Sequence, residues 1–217
     1  FAENVVQVEP DDYIKMKIKS FFLYDVFPYD IYMSVTSNYY IKIISAGKSY
    51  SHSTLISYVK KNVRHLYIQK DNHFKFLESE GIKCLKALND FKTDKKNIYV
   101  IFLRAISVFH DYLNSVGYSP QASELIEKTI EVIIIHARKE KDVGNIFIKY
   151  PPYYQGIASK SLLTAFIAVD LANKSGWDSA TTRGKLVMSS ILQDFTLEDG
   201  RLSKISSHTS NEVRRCN

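Results

Sequence analysis

The stretch DIYMSVTSNYYIKII, residues 30–44, decides the fold class of the first third of the chain. It contains two segments rich in β-forming residues, Asp30 to Val35 and Tyr39 to Ile44, and the intervening Thr36-Ser37-Asn38 has the composition of a hairpin turn. Upstream, Tyr13 to Ile18 alternates apolar and basic residues with the period of two that is typical of a half-buried strand. These patterns predict a small sheet that includes an antiparallel hairpin.

Two helices and a further strand are predicted to complete this first part. Ser53 is a candidate N-cap for a helix through Val59, and Asp71 or Asn72 is a candidate cap for a second helix. Between these helices, His65 to Ile68 has the pattern of a returning strand. The first third of the chain is therefore predicted to be mixed α/β.

Helical spacing replaces the strand pattern in the rest of the chain. Apolar residues recur every three or four positions from residue 98 to residue 112, which gives one apolar helix face. Ser119-Pro120 is a typical helix start, because proline suits the first turn. Two further helices are predicted over Ala158 to Lys174 and Ser179 to Asp194.

This change of pattern near residue 80 divides the chain into two predicted parts. The fold class is predicted to be α+β, with a small α/β domain over residues 1–80 and an all-helical domain over residues 81–217. Because the chain starts with Phe1 and ends at Cys216-Asn217 within a helical pattern, we allow that the helical domain is incomplete.

The composition is that of an ordinary globular protein, with 217 residues of which 45% are hydrophobic and 24% charged. No apolar run reaches the about 18 residues of a membrane span, and no signal-peptide pattern is present. The net charge of +6 favours anionic partners, although acidic residues are interspersed among the lysines. Two cysteines without metal-like spacing, Cys84 and Cys216, indicate a reducing, cytoplasmic setting.

Two short segments in the helical part resemble a known motif. Residues 160–165 read KSLLTA and residues 188–194 read MSSILQD. The first resembles the His-Ser-Leu-x-x-Ala start of one helix in HD domains, and the second resembles the Ala-x-Leu-Leu-His-Asp end of the next helix. HD domains are helical hydrolases that hold one or two metal ions between helices, where a metal-bound water becomes a nucleophile at neutral pH.

The N-terminal part shows a second resemblance, over residues 20–75. YDVFPYDIY at residues 24–32 and YYIKIISAGK at residues 39–48 are similar to paired strands of a domain that often precedes HD-GYP modules. HLYIQKD at residues 65–71 is similar to a later strand of the same domain. The chain thus resembles the HD-GYP family of cyclic di-GMP phosphodiesterases, and the resemblance implies a sensory or partner-contacting N-terminal domain.

The metal ligands of the HD signature are largely replaced in this sequence. Lys160 stands at the first His position and Gln193 at the His of the pair, while Asp194 is retained. His208 resembles a later family histidine, so the resemblance leaves Asp194 and His208 as metal candidates. A lysine ammonium or a glutamine amide cannot replace a neutral imidazole as a transition-metal ligand. No cofactor is therefore expected, and iron or manganese is the expected metal if the site is functional.

Other side chains offer binding features without a metal. Lys160, Arg214 and Arg215 are candidates for binding an anionic ligand through their charge. Lys160 can also mimic the charge of the missing metal and pair with Asp194. His110 lies on a predicted apolar helix and is expected to be a core or boundary residue.

Three functions remain open from the sequence. The first is an HD-GYP-like signalling protein of cyclic di-GMP pathways that acts by binding or partner contact through a degenerate metal site. The second is an active metal-dependent phosphodiesterase with an altered ligand set, and the third is a helical protein-binding adaptor. The expected partners are a cyclic dinucleotide or a signalling protein rather than a nucleic acid polymer, and a homodimer is compatible with such a helical module.

Overall fold

The computed structural model describes residues 5–7, 12–36, 39–90, 98–139, 156–177, 179–193 and 195. The described chain is α+β, as predicted, with a five-stranded antiparallel sheet followed by helices. The strands are β1 (Val5–Gln7), β2 (Tyr13–Lys17), β3 (Ile31–Thr36), β4 (Tyr39–Ile44) and β5 (His65–Gln69). A 3-10 helix (Ile18–Leu23) follows β2, and α1 (His52–Lys60) connects β4 to β5.

The sheet has the strand order β1-β4-β3-β5-β2, and neighbouring strands run antiparallel. β3 and β4 are the predicted pair, with Met33 opposite Ile41. Successive side chains point to opposite faces of a strand, so Ile31 enters the main core whereas Tyr32 joins an aromatic cluster on the other face. One face of the sheet is therefore available to pack against helices.

Five longer helices complete the described fold. They are α2 (Lys70–Asn89), α3 (Ile98–Ser115), α4 (Pro120–Ala137), α5 (Ile157–Lys174) and α6 (Ala180–Leu192). The predicted start of α4 is confirmed, because Ser119 Oγ accepts the Ala122 N–H at 3.2 Å and Pro120 occupies the first turn. Among the described residues, no helix combines the length and the apolar character that a membrane span requires.

A single core joins the sheet to the helices. The rings of Phe27, which precedes β3, and Phe76 in α2 lie 4.7 Å apart and are fully buried. Phe21 of the 3-10 helix packs against Phe27 at 5.0 Å. The same core continues through Phe109 of α3. Aromatic packing therefore fixes the 3-10 helix between the sheet and the bundle.

The caps of the first two helices differ from the predictions. α1 begins at His52 and Ser51 is its N-cap, so the prediction of Ser53 was wrong; the Ser51 Oγ accepts the Thr54 N–H at 3.3 Å. α2 begins at Lys70 directly after β5, which places Asp71 within its first turn rather than at the cap. No connecting residue separates β5 from α2, and this continuity leaves no room for the predicted cap.

The predicted boundary between residues 80 and 81 falls inside a helix. α2 is continuous from Lys70 to Asn89, and its buried apolar side chains, Phe76, Leu77, Cys84 and Leu88, belong to the core that also contains the sheet. The division into domains 1–80 and 81–217 stays a prediction.

Phe76 provides a test of this core. We expect Phe76→Ala to lower the free energy of unfolding by about 3–5 kcal/mol, because a fully buried aromatic ring leaves a cavity when it is truncated. Urea unfolding at neutral pH measures the difference. Phe74→Ala on the same helix is the matched control, because Phe74 is 38% exposed and should cost about 1 kcal/mol or less. Equal losses for the two variants would contradict the assignment of Phe76 to the core.

Candidate functional site

Lys160 and Gln193, which match two histidine positions in the resemblance to HD domains, lie at neighbouring helix ends. Lys160 is exposed in the first turn of α5, and Gln193 is exposed directly after α6. The Gln193 Nε2 donates to the Thr164 Oγ1 at 3.4 Å, and Thr164 lies one turn after Lys160 on the same helix. Tertiary structure thus brings positions 160 and 193 onto one surface.

The described residues at these positions do not fit a divalent metal ion. An ammonium carries the wrong charge for a ligand, and an amide is a poor ligand for iron or manganese. Among the described residues, no group of three or more His, Cys, Asp or Glu side chains is arranged to hold a metal. The remaining sequence candidates, Asp194, His208, Arg214 and Arg215, lie outside the described residues.

A cavity lined by both polar and apolar side chains adjoins the start of α5, and it was not predicted. Its volume is about 60 Å³, and it lies between β2 with the 3-10 helix, the second half of α3 and the start of α5. Lys17, Lys19 and Ser20 line it from the N-terminal part. Gly156 to Ser159 line it from α5, so the cavity ends one residue before Lys160.

Helix α3 contributes a polar stripe to the cavity. The cavity wall includes Ser107, His110, Asp111 and Asn114. The last three lie three, four and seven residues after Ser107, which puts all four on one helix face. Ser107 also lies within hydrogen-bond distance of Ser20, with 3.3 Å between the two hydroxyl oxygens. This contact ties the 3-10 helix to α3 at the cavity wall.

His110 connects the cavity to the end of α6. Its Nε2 lies 2.9 Å from the Ile191 carbonyl oxygen, and because a carbonyl only accepts, Nε2 carries the proton. Burial lowers the pKa of His110 to about 4, so the ring is neutral at physiological pH. Ile191 lies two residues before Gln193, and His110 therefore fixes the cavity relative to the surface that carries Lys160 and Gln193.

Asp111 is the acidic side chain that lines the cavity. Burial raises the pKa of its carboxyl to about 7, and the nearby Lys17 ammonium opposes that rise. A carboxyl that titrates near neutral pH can bind a ligand either as a hydrogen-bond donor or as an anion. Groups with such shifted pKa values cluster at functional sites.

Two lysines and a helix start give the cavity a positive character. Lys17 and Lys19 both line it, and the Lys19 stem packs against Gly156, where an added Cβ would lie 3.8 Å from the Lys19 Cδ. Gly156 is the N-cap of α5, and the first N–H groups of a helix carry partial positive charge. The cavity is therefore suited to a small anionic group.

Part of this site was within reach of sequence reasoning. The expectation that His110 is a core or boundary residue is confirmed, since its relative exposure is 7%, but His110 also lines the cavity. The polar residues at helical spacing on an otherwise apolar helix could have predicted the polar face of α3. The sequence could not predict that Lys17 and Lys19 line the cavity, because their position depends on how the 3-10 helix packs against α3.

Comparison of the chain with family models, curated proteins and solved structures finds no match.

The Asp111 carboxyl makes stability depend on pH. Its folded pKa of about 7 lies above the unfolded value of about 3.9, so its contribution is present below about pH 4 and is lost as the pH rises through 7. We expect Asp111→Asn to be more stable than the native chain at pH 8 by about 1–2 kcal/mol, after discounting for partial exposure. This gain should shrink as the pH falls towards 4.

Urea unfolding at pH 4.5, 6 and 8 measures this gain. The control is Asp90→Asn, because it removes the same charge from an exposed position at the end of α2. A stability difference for Asp111→Asn that is the same at all three pH values would show that the Asp111 carboxyl does not titrate near neutrality.

Proposed function

We propose that this chain is an HD-GYP-like signalling protein of cyclic di-GMP pathways that acts by binding or partner contact rather than by hydrolysis. The observation that carries the proposal is the contact between Gln193 and Thr164, which joins the end of α6 to the first turns of α5 next to Lys160. In the resemblance to HD domains, these are the positions where two metal-binding histidines would converge. The resemblance of residues 20–75 to the domain that precedes HD-GYP modules supports the same family.

The side chains at these positions favour binding over metal chemistry. An ammonium at position 160 supplies positive charge where the family has a metal, and it can attract the phosphates of a cyclic dinucleotide. The Gln193 amide and the Thr164 hydroxyl add donors and acceptors beside it. Since neither Lys160 nor Gln193 can ligate iron or manganese as imidazole does, a binuclear centre has lost two ligands.

A second candidate function, a protein-binding adaptor, is favoured by exposed apolar side chains on the same helix. Ile167 and Leu171 are 38% and 57% exposed and continue the face of α5 that carries Lys160 and Thr164. Trp177, just after α5, is 69% exposed. Exposed apolar side chains in one region are typical of protein interaction sites. An adaptor would show no rise in melting temperature with cyclic di-GMP, whereas a nucleotide-binding protein would.

Metal content and turnover test the proposed function. We expect the full-length protein, purified without chelator, to carry clearly substoichiometric iron and manganese by elemental analysis. We also expect no hydrolysis of cyclic di-GMP with either metal added. Near-stoichiometric metal together with turnover would show that the protein is an active phosphodiesterase.

Restoring the histidines tests whether positions 160 and 193 are the substituted ligand sites. We expect Lys160→His combined with Gln193→His to raise manganese uptake several-fold over the native protein, because two imidazoles would then converge at neighbouring helix ends. Lys174→His combined with Gln193→His is the matched control, since Lys174 lies at the opposite end of α5. Equal uptake by the two double variants would contradict the equivalence of these positions to the family ligands.

A further inference from the structure

We infer that the cavity between the 3-10 helix, α3 and the start of α5 is a binding site for a tetrahedral oxyanion, such as the phosphate group of a small ligand. This inference goes beyond the proposed function, because the cavity is lined by residues other than Lys160 and Gln193. It rests on four features: the cationic charge of the lining, the size of the cavity, the hydrogen-bonding capacity of its wall and a carboxyl that can change its charge.

The charge comes from different elements that converge on one space. Lys17 at the end of β2 and Lys19 in the 3-10 helix both line the cavity. The first turn of α5, at Gly156 to Ser159, forms the opposite wall. Ammonium groups and helix N-terminal N–H groups are the features that proteins combine to hold phosphate.

The size of the cavity and the polar side chains of its remaining lining match a compact polar group, while Leu23, Leu103 and Ile157 form an apolar part of the wall. The volume of about 60 Å³ exceeds the about 10–15 Å³ that one water requires, and it is far too small for a whole cyclic dinucleotide. The hydroxyls of Ser20 and Ser107 and the amide of Asn114 provide donors at the cavity wall. A single phosphate or sulfate group is the kind of ligand that uses both the charge and the donors.

Asp111 determines when the cavity accepts an anion. The ionised carboxylate repels an oxyanion, whereas the protonated carboxyl can donate a hydrogen bond to it. The charged or titratable side chains near Asp111 are Lys17 from β2, Lys19 from the 3-10 helix, His110 from α3 and Tyr24 directly after the 3-10 helix, while Gly156 to Ser159 contribute none. Tyr24 stays neutral in this range, because burial raises its pKa well above the ordinary value. His110 stays neutral above about pH 5, because burial lowers its pKa to about 4. The charge of Asp111 is therefore the one expected to change between pH 6 and 8, since its pKa is about 7.

Sulfate is the cleanest probe, because its charge does not change in this range while that of phosphate does. We expect isothermal titration calorimetry at constant ionic strength to show sulfate binding that is about fivefold to tenfold tighter at pH 6 than at pH 8. The protonated fraction of a group with a pKa of about 7 changes by about tenfold across that interval. Inorganic phosphate should compete with sulfate at pH 6.

Variants separate a built site from general charge attraction. Lys17→Gln and Lys19→Gln should weaken sulfate binding about tenfold at both pH values. Lys15→Gln is the matched control, because it removes the same charge from an exposed position on β2 and should leave binding unchanged. Asp111→Asn should retain binding and abolish the difference between pH 6 and pH 8.

Three results would overturn the inference: no sulfate binding at either pH, equal weakening by Lys15→Gln and Lys17→Gln, or an undiminished pH dependence in Asp111→Asn. Circular dichroism checks that each variant is folded, and Asp111→Asn keeps the test decisive if a lysine variant does not fold. Metal uptake by the histidine double variant is a separate measurement, so this inference and the proposed function can fail independently.

Discussion

The Arg104 guanidinium of α3 donates to the Leu23 carbonyl oxygen, with 2.8 Å between Nε and that oxygen, and its Nη2 donates to the same acceptor. Leu23 ends the 3-10 helix, where carbonyl groups have lost their partners within the helix and would be costly to bury unpaired. The same guanidinium lies 4.8 Å from the centre of the Tyr24 ring, which adds a cation–π contact. The rest of the described arrangement depends on this contact, because it holds the segment after β2 against the helical bundle.

The position of the 3-10 helix creates the cavity. With its C-terminal end held by Arg104, the segment runs beside α3, and Lys17 and Lys19 reach the same space as Asp111. The cost of burying polar groups there is moderated in two ways. Asp111 takes up a proton more readily than an exposed carboxyl does. His110 is neutral and donates a hydrogen bond to the Ile191 carbonyl oxygen. Protonation of Asp111 and neutrality of His110 therefore limit the charge that is buried at the cavity.

The cavity and the surface that carries Lys160 and Gln193 share the start of α5. The cavity ends at Ser159, and the next residue, Lys160, begins the surface that Gln193 completes. A molecule carrying one phosphate group at each location would contact both the N-terminal part and the helical part of the chain. Such a geometry would connect ligand binding to the contact between the sheet and the bundle.

The sequence by itself determined the elements and their class. The period-two pattern of Tyr13 to Ile18 and the turn composition before Tyr39 predicted strands that are present, and Ser119-Pro120 predicted the start of α4 correctly. These are local signals, because alternation, capping and proline geometry depend on residues close in the chain. For the same reason the sequence placed Ser53 two residues beyond the cap that Ser51 provides, since several adjacent serines offer the same chemistry.

Only the tertiary structure decided which polar side chains share a space. Lys17 and Asp111 are far apart in sequence, and no sequence spacing predicts that they lie close together. They converge because Arg104 and the buried phenylalanines fix the 3-10 helix against α3. Packing also determines the acid–base behaviour of Asp111, since the shift in its pKa comes from desolvation by the surrounding fold. Residue identity supplied the carboxyl, and burial among elements distant in sequence gave it a pKa near neutrality.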